Sequence, residues 1–215
     1  MRRTKAIDYI KRLAKCKSKD SLKASRELMN SYMKWKRTLD LKDFLFFINL
    51  IQNKWKNIIM ISLKGYPQTI GQFRAFSFEE YLRDLIDKQI LSNYKDFRIL
   101  WNEKFLVWTK HNMKYYSAFD IAICRNEFPI IVIEAKIDVD APRLRAFMLN
   151  SFLFKKVYRK SRTILIYVNW NADELLKHLA KEFIDELFDF KFEDQVKEFI
   201  SYVKILLNEA RSLKV

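Results

Sequence analysis

Glycine is nearly missing from this chain. Its 215 residues include two, Gly65 and Gly71. Loops that cradle phosphates need several glycines, so that backbone N–H groups can come close to the anion. A Walker-type loop and a dinucleotide fingerprint are both excluded. Nucleotide-driven motors, kinases and classical dehydrogenases go with them, and no nucleotide cofactor is expected. Cysteine and histidine are as scarce. Cys16 and Cys124 are far apart in the chain and make neither a disulfide framework nor a zinc site. Cys124 reads as a core residue. His111 and His178 are too few for a histidine metal cage, and no Ser-His-Asp signature surrounds them. No apolar run reaches the roughly 18–20 residues needed to span a bilayer. The basic stretch "MRRTKAIDYIKRLAKCKSK" lacks the apolar centre of a signal peptide. An intracellular, cytoplasmic protein without a membrane partner is expected.

Positive charge is abundant. The formal net charge is +15, and half of the residues are hydrophobic. Residues 1–65 hold 17 Lys and Arg against 5 Asp and Glu; the remainder hold 24 against 21. A basic first third points to a polyanion partner, although Lys-rich helices also occur simply as solvated faces.

Helical periodicity marks residues 4–15, then a segment from Ser18 or Asp20 to about Lys36, then one from Asp40 to about Ile61. "LKGYPQTIG" breaks the pattern. It sets an expected boundary between a basic helical region, 1–65, and a main domain, 66–215. That domain should open with a helix, "SFEEYLRDLIDKQILSN", capped by Ser77. "RILWNEKFLVWTK" reads as one or two strands, "SAFDIAICRN" as another and "FPIIVIEAKI" as a third, with "RNEF" as a hairpin turn. "PRLRAFMLNSFLFKKVYRK" is a helix with proline in its first turn, and "RTILIYVNW" is a buried strand. "ADELLKHLAKEFIDELF" and "EDQVKEFISYVKILLNEARSL" are expected as closing helices. The fold class is α/β with a mixed sheet. The five tryptophans read as core residues rather than base-stacking platforms.

Within "FPIIVIEAKIDVD", a strand that reads as buried carries Glu134 and Lys136 on one side. Charges there need a partner or a ligand. The preceding strand offers one acid, Asp120 in "AFDIAI". Antiparallel pairing would set Asp120 beside Glu134, and a divalent cation relieves the repulsion between two such carboxylates. Hard oxygen donors, with the Ala135 carbonyl as a third, suit Mg2+ or Mn2+. A lysine beside the metal can activate water or neutralise charge on a phosphate. Metal-assisted phosphodiester hydrolysis is the chemistry this set suits. Asp138 and Asp140 read as caps of the following helix. Arg143, Arg145, Lys155 and Lys156, with Arg159 nearby, are candidate phosphate contacts on that helix.

These residues resemble a known family. Asp120 followed by Glu134-Ala135-Lys136 is similar to the D…(D/E)XK core of the PD-(D/E)XK nuclease superfamily. These are restriction-endonuclease-like enzymes that include archaeal Holliday junction resolvases, RecB-type exonuclease domains and Mrr-type endonucleases. The resemblance covers roughly residues 71–170. It implies a helix, a three-stranded meander, a helix and a further strand: a restriction-endonuclease-like mixed sheet flanked by helices, here with an added helical N-terminal region. It also implies an acid on the first helix. "FEEYLRDLI" matches through Phe78-Glu79, with Glu80 as the neighbouring alternative. By resemblance Asp120, Glu134 and Glu79 hold metal together with Ala135, and Lys136 activates water or stabilises the transition state. Two departures stand out. Phe119 occupies the usual proline position, and no glutamine follows on the next helix, where Asn150 and Ser151 are the nearest polar residues. The implied function is a Mg2+-dependent DNA endonuclease, structure-selective toward branched or junction DNA and similar in style to small archaeal or viral nucleases (in a viral case, one acting in host cytoplasm). A two-fold homodimer would cut both strands, with the C-terminal helices supplying its interface. The alternative is a protein that keeps the fold and binds nucleic acid without cutting.

Overall fold

The computed structural model describes residues 4–63 and 67–212. The chain divides into two compact units, residues 1–85 and 86–215.

The first unit is helical. Helix α1 is Ala6–Lys15, α2 Lys19–Thr38, α3 Leu41–Asn49 and α4 Lys56–Ser62, and α5, Pro67–Gln89, carries the chain out of the unit. Sequence-local signals set the ends. The Ser18 hydroxyl accepts from the Ser21 N–H to start α2, and the Asp40 carboxylate accepts from the Lys42 N–H to start α3. The helix expected over residues 40–61 is interrupted. A π-helical turn, Leu50–Lys54, separates α3 from α4. That wider turn is followed by Trp55, whose indole N–H donates to Glu27 on α2 at 3.1 Å.

Helix α5 departs further from expectation. It begins ten residues before Ser77, which is buried inside the helix and donates its hydroxyl to the Phe73 carbonyl at 2.6 Å rather than capping. The proline is tolerated because a first helical turn needs no N–H there. Gly65 lies outside the described residues. Phe78 and Tyr81 stack on Phe44 at 5.6 and 4.4 Å, and Phe73 stacks on Tyr9 at 4.7 Å. This aromatic packing draws α5 as far as Leu85 into the helical unit, so the compact division falls at 85/86 instead of the expected 65/66.

The second unit is α/β. Strands β1 (Arg98–Lys110), β2 (Met113–Arg125) and β3 (Phe128–Val139) form a meander, followed by α6 (Ala141–Val157) and β4 (Arg162–Trp170). Then come α7 (Glu174–Ala180), β5 (Glu186–Asp189) and α8 (Glu193–Ser212). The sheet runs in the order β1-β2-β3-β4-β5, with the first two pairings antiparallel and the last two parallel. This is a helix-flanked mixed sheet whose meander and α6 crossover to β4 follow the order that the resemblance implies, with a second crossover through α7 adding β5. Both hairpin turns have two residues at positive φ, His111-Asn112 and Asn126-Glu127, as tight hairpins require.

The segment expected as one helix from Ala172 to Phe188 is helical only in its first half and ends in a strand. Helix α7 stops at Ala180, and the Thr163 carbonyl accepts the Asp185 N–H, steering the chain into β5. On one face of the sheet, α6 and α7 cover Val132, Leu165 and Tyr167. Helix α8 packs against β3 and β5, its Phe199 meeting Phe188 at 5.5 Å. The apolar stripe of α8 (Val196, Phe199, Val203, Leu207) is therefore buried within its own unit. Among the described residues, no helix is long and apolar enough to cross a membrane.

Candidate active site

The site lies where two neighbouring strands part. Strands β2 and β3 pair as far as Ile121 with Ile133. One residue beyond, β2 continues with β1 alone, while β3 continues with β4 through Glu134 and Lys136, which pair with Leu165 and Tyr167. The Ala135 N–H donates instead to Asp120 Oδ2 at 3.0 Å. The carboxylate thus takes the place of the departing strand. On its other side β1 makes a local concession. Asn102 sits at φ 58°, and the β1–β2 ladder skips Asn102 and Asp120. Asparagine tolerates this left-handed backbone better than the β-branched residues typical of strands.

Lys136 completes the group. Its Nζ lies 2.6 Å from Glu134 Oε1 and 3.1 Å from Asp120 Oδ2. The side chains of Asp120, Glu134 and Lys136 are only 13, 17 and 25% exposed. Burial alone would lower the Lys136 pKa; the Asp120 and Glu134 carboxylates outweigh it and hold the pKa above the usual lysine value. The amine is therefore a fixed cation at neutral pH, suited to stabilising negative charge and unsuited to accepting a proton.

The other candidate residues have separate places. Asp140 caps α6 by accepting from the Arg143 N–H at 2.9 Å, and Asp138 accepts from Asn169 Nδ2 at 2.9 Å. The Arg143 guanidinium reaches back to the Asp138 carbonyl at 3.4 Å. Arg145 is exposed. Lys155 is held by Asp185 at 2.9 Å, which makes it a brace under β4. Lys156 is exposed and lies 4.2 Å from the Phe152 ring centroid.

Of the two acids on α5, Glu80 is committed within the helical unit. It accepts from the Ala6 N–H at 3.0 Å, from Tyr32 Oη at 2.8 Å and from Lys36 Nζ at 3.1 Å. Lys36 also pairs with Asp84. Glu80 therefore ties α1, α2 and α5 together. Glu79, 3% exposed, is its neighbour on the same helix and in the same unit.

The donor chemistry fits a small divalent cation. Two carboxylates and the Ala135 carbonyl are hard oxygen donors, and Mg2+ characteristically keeps several waters beside one or two carboxylates. No group of three or more His, Cys, Asp or Glu side chains suited to a metal occurs among the described residues. Asp120, Glu134 and Ala135 would hold the ion, with water and a substrate phosphate completing its shell.

One contributor escaped the sequence reading. Asn102 kinks the strand beside Asp120; its signal was a polar residue of low strand propensity inside "ILWNEKF". Asn150 Oδ1 accepts from Ser117 Oγ at 3.2 Å and lies 3.5 Å from Tyr115 Oη, tying α6 to the β1–β2 hairpin. Ser151 is fully buried, and its hydroxyl has no hydrogen-bond partner among the described residues.

No known protein-family model matches the chain, and no curated protein matches it. Among solved structures the chain is similar to one described as the native BbvCI A2B2 tetramer at low resolution. The identity is 13%, 98% of each chain is covered, and the TM-score is 0.48.

Proposed function

We propose that this protein is a nuclease of the PD-(D/E)XK type that hydrolyses DNA phosphodiester bonds with Mg2+ or Mn2+. One observation carries the proposal: two carboxylates and a lysine, distant in sequence, meet where β2 and β3 part. Bound metal supplies Lewis-acid activation of water and phosphate. Asp120 and Glu134 hold it, and Ala135 adds its carbonyl. Lys136 neutralises charge that develops on the phosphate as water attacks. Glu79 keeps the third-acid role that the resemblance assigns, with Arg143, Arg145, Lys155 and Lys156 as phosphate contacts and a homodimer as the cutting form. Selectivity for branched or junction DNA belongs to the same proposal.

The test is a panel of labelled duplex, single-stranded, flapped and four-way-junction DNA, with and without Mg2+. Metal-dependent cutting is expected. It should fall at least a hundredfold in Glu134→Ala and in Asp120→Asn, with DNA binding and thermal unfolding retained. Glu79→Gln tests the helix acid separately. No cutting of any substrate in either metal would end the proposal.

A second reading is favoured by the position of the Lys136 amine, which already compensates both carboxylates. On that reading the fold binds nucleic acid without cutting. It predicts binding that is salt-sensitive and indifferent to Glu134→Ala.

A further inference from the structure

Beyond the Ile121 pair, β1 and β2 continue as a two-stranded ribbon down to Lys110 and Met113, while β2 has no pairing with β3. From Asp120 to the turn this spans about 23 Å at the usual strand rise. The first half has its own packing: Phe105 and Phe119 sit against Phe154 on α6. Farther out only Val107 is buried in that core, and large side chains turn to solvent. Trp108, Tyr115 and Tyr116 are 42, 46 and 47% exposed. Trp108 is paired across the strands with Tyr115, so these two rings share one face of the ribbon, while Tyr116, paired with Leu106, lies on the other. Lys104, Lys110 and Lys114 are exposed among them. A solvent-facing strand pair normally carries polar residues, and large exposed aromatics mark a contact surface. The Asn150 contacts anchor this ribbon to α6 near its midpoint.

We infer that the β1–β2 ribbon is a grip for nucleic acid with unpaired bases, leading a strand toward Asp120 at its root. The inference rests on the nucleic-acid reading above. The chemistry selects this occupant. Aromatic faces interleaved with lysines suit bases that are free to stack and a backbone that carries negative charge. A wholly paired duplex offers no free base face to Trp108 or Tyr115. An apolar protein surface would leave the lysines without a counterpart.

The test measures binding in metal-free buffer, so that cutting plays no part. The probes are labelled oligo-dT, a blunt duplex, and that duplex with a dT overhang. Trp108→Ala/Tyr115→Ala should weaken oligo-dT and overhang binding roughly tenfold and leave the blunt duplex unchanged. Trp108→Phe, which keeps a stacking ring, should bind like the parent. Lys110→Glu/Lys114→Glu should weaken binding and flatten its salt dependence by roughly 0.7 per lysine. These lysines lie at the tip, so this pair carries the test if the double alanine variant does not fold. The inference is overturned by unchanged dT affinity in the variants, by equal loss on the blunt duplex, by loss of self-association in place of oligonucleotide binding, or by a parent protein that binds no dT. Binding with the expected losses but no metal-dependent cutting leaves the ribbon in place and removes the nuclease reading. Normal cutting with indifferent ribbon variants does the reverse.

Discussion

Lys136 is the residue on which the local electrostatics turn. Its single positive charge is shared between two carboxylates that would otherwise repel more strongly in a confined place. Lys136→Met is expected to destabilise the fold by about 1–3 kcal/mol, the order of cost of removing a hydrogen-bond partner shared by two partly buried carboxylates. The combined neutral variant, Asp120→Asn/Glu134→Gln/Lys136→Met, should recover most of that loss, because neutral groups of similar shape have little desolvation to offset. Urea unfolding of the single and triple variants measures both. The pH dependence has a definite sign. A lysine whose pKa is raised by folding contributes fully below its unfolded value, about 10.4, and loses that contribution only as pH rises through the higher folded value. The Lys136→Met deficit should therefore stay constant from about pH 7 to pH 10, and a deficit that disappears near pH 8 would refute the charge pairing. Asp120 was recognisable as a partner because it was the only acid in an apolar strand. Glu80 was not separable from Glu79, since adjacent helix positions differ only in the direction they face.

At the scale of elements, the sheet places the site and the helices brace it. The parting of β2 from β3 leaves the Ala135 N–H available for Asp120. No reading of strand propensity shows where two strands part, because parting depends on which neighbour each strand finds. The same reasoning applies to α5. Pro67 and Gly71 read locally as breakers, yet both are helical. Gly71 has no heavy atom within 4 Å of the position its Cβ would take. Its missing side chain serves no packing purpose, and it brings the usual entropic cost of glycine inside a helix. Gly71→Ala should stabilise the protein by about 0.5–1 kcal/mol, read as a higher midpoint in urea. A lower midpoint would mean that the helix needs flexibility there. The Ala172–Phe188 segment teaches a related lesson. Its helical period is real as far as Ala180, and beyond that the parallel register with β4 overrides it.

At the scale of the whole molecule, the charge asymmetry is the dominant feature. The first 65 residues carry most of the net +15. On α2, Lys19, Lys23 and Arg26 are exposed beside one another along a shallow groove. If this surface meets phosphates, log affinity for duplex DNA should fall steeply with log salt, by about 0.9 per phosphate neutralised. Changing those three residues to Gln should then reduce the slope by up to about 2.7. An unchanged slope would identify them as a solvated helix face, the plain reading of a Lys-rich helix. The exposed ribbon aromatics belong to this scale too. The tryptophans were expected in the core. Trp35 and Trp55 are there, at 0 and 8% exposure, while Trp108 is outside at 42%.

The amino-acid sequence by itself determined the α/β class, the strands with their "RNEF" turn, the crossover helix with its Asp140 cap, and the grouping of Asp120 with Glu134 and Lys136. Each follows from short-range rules: side chains alternate along a strand, recur at 3.6 along a helix, and charges in an apolar strand need partners. Only the tertiary structure decided that α5 runs back to Pro67, that Glu80 locks three helices, that Lys155 belongs to Asp185, and that Trp108 lies in solvent. Those outcomes depend on which distant surface each side chain meets, and such contacts leave no periodic trace in the chain.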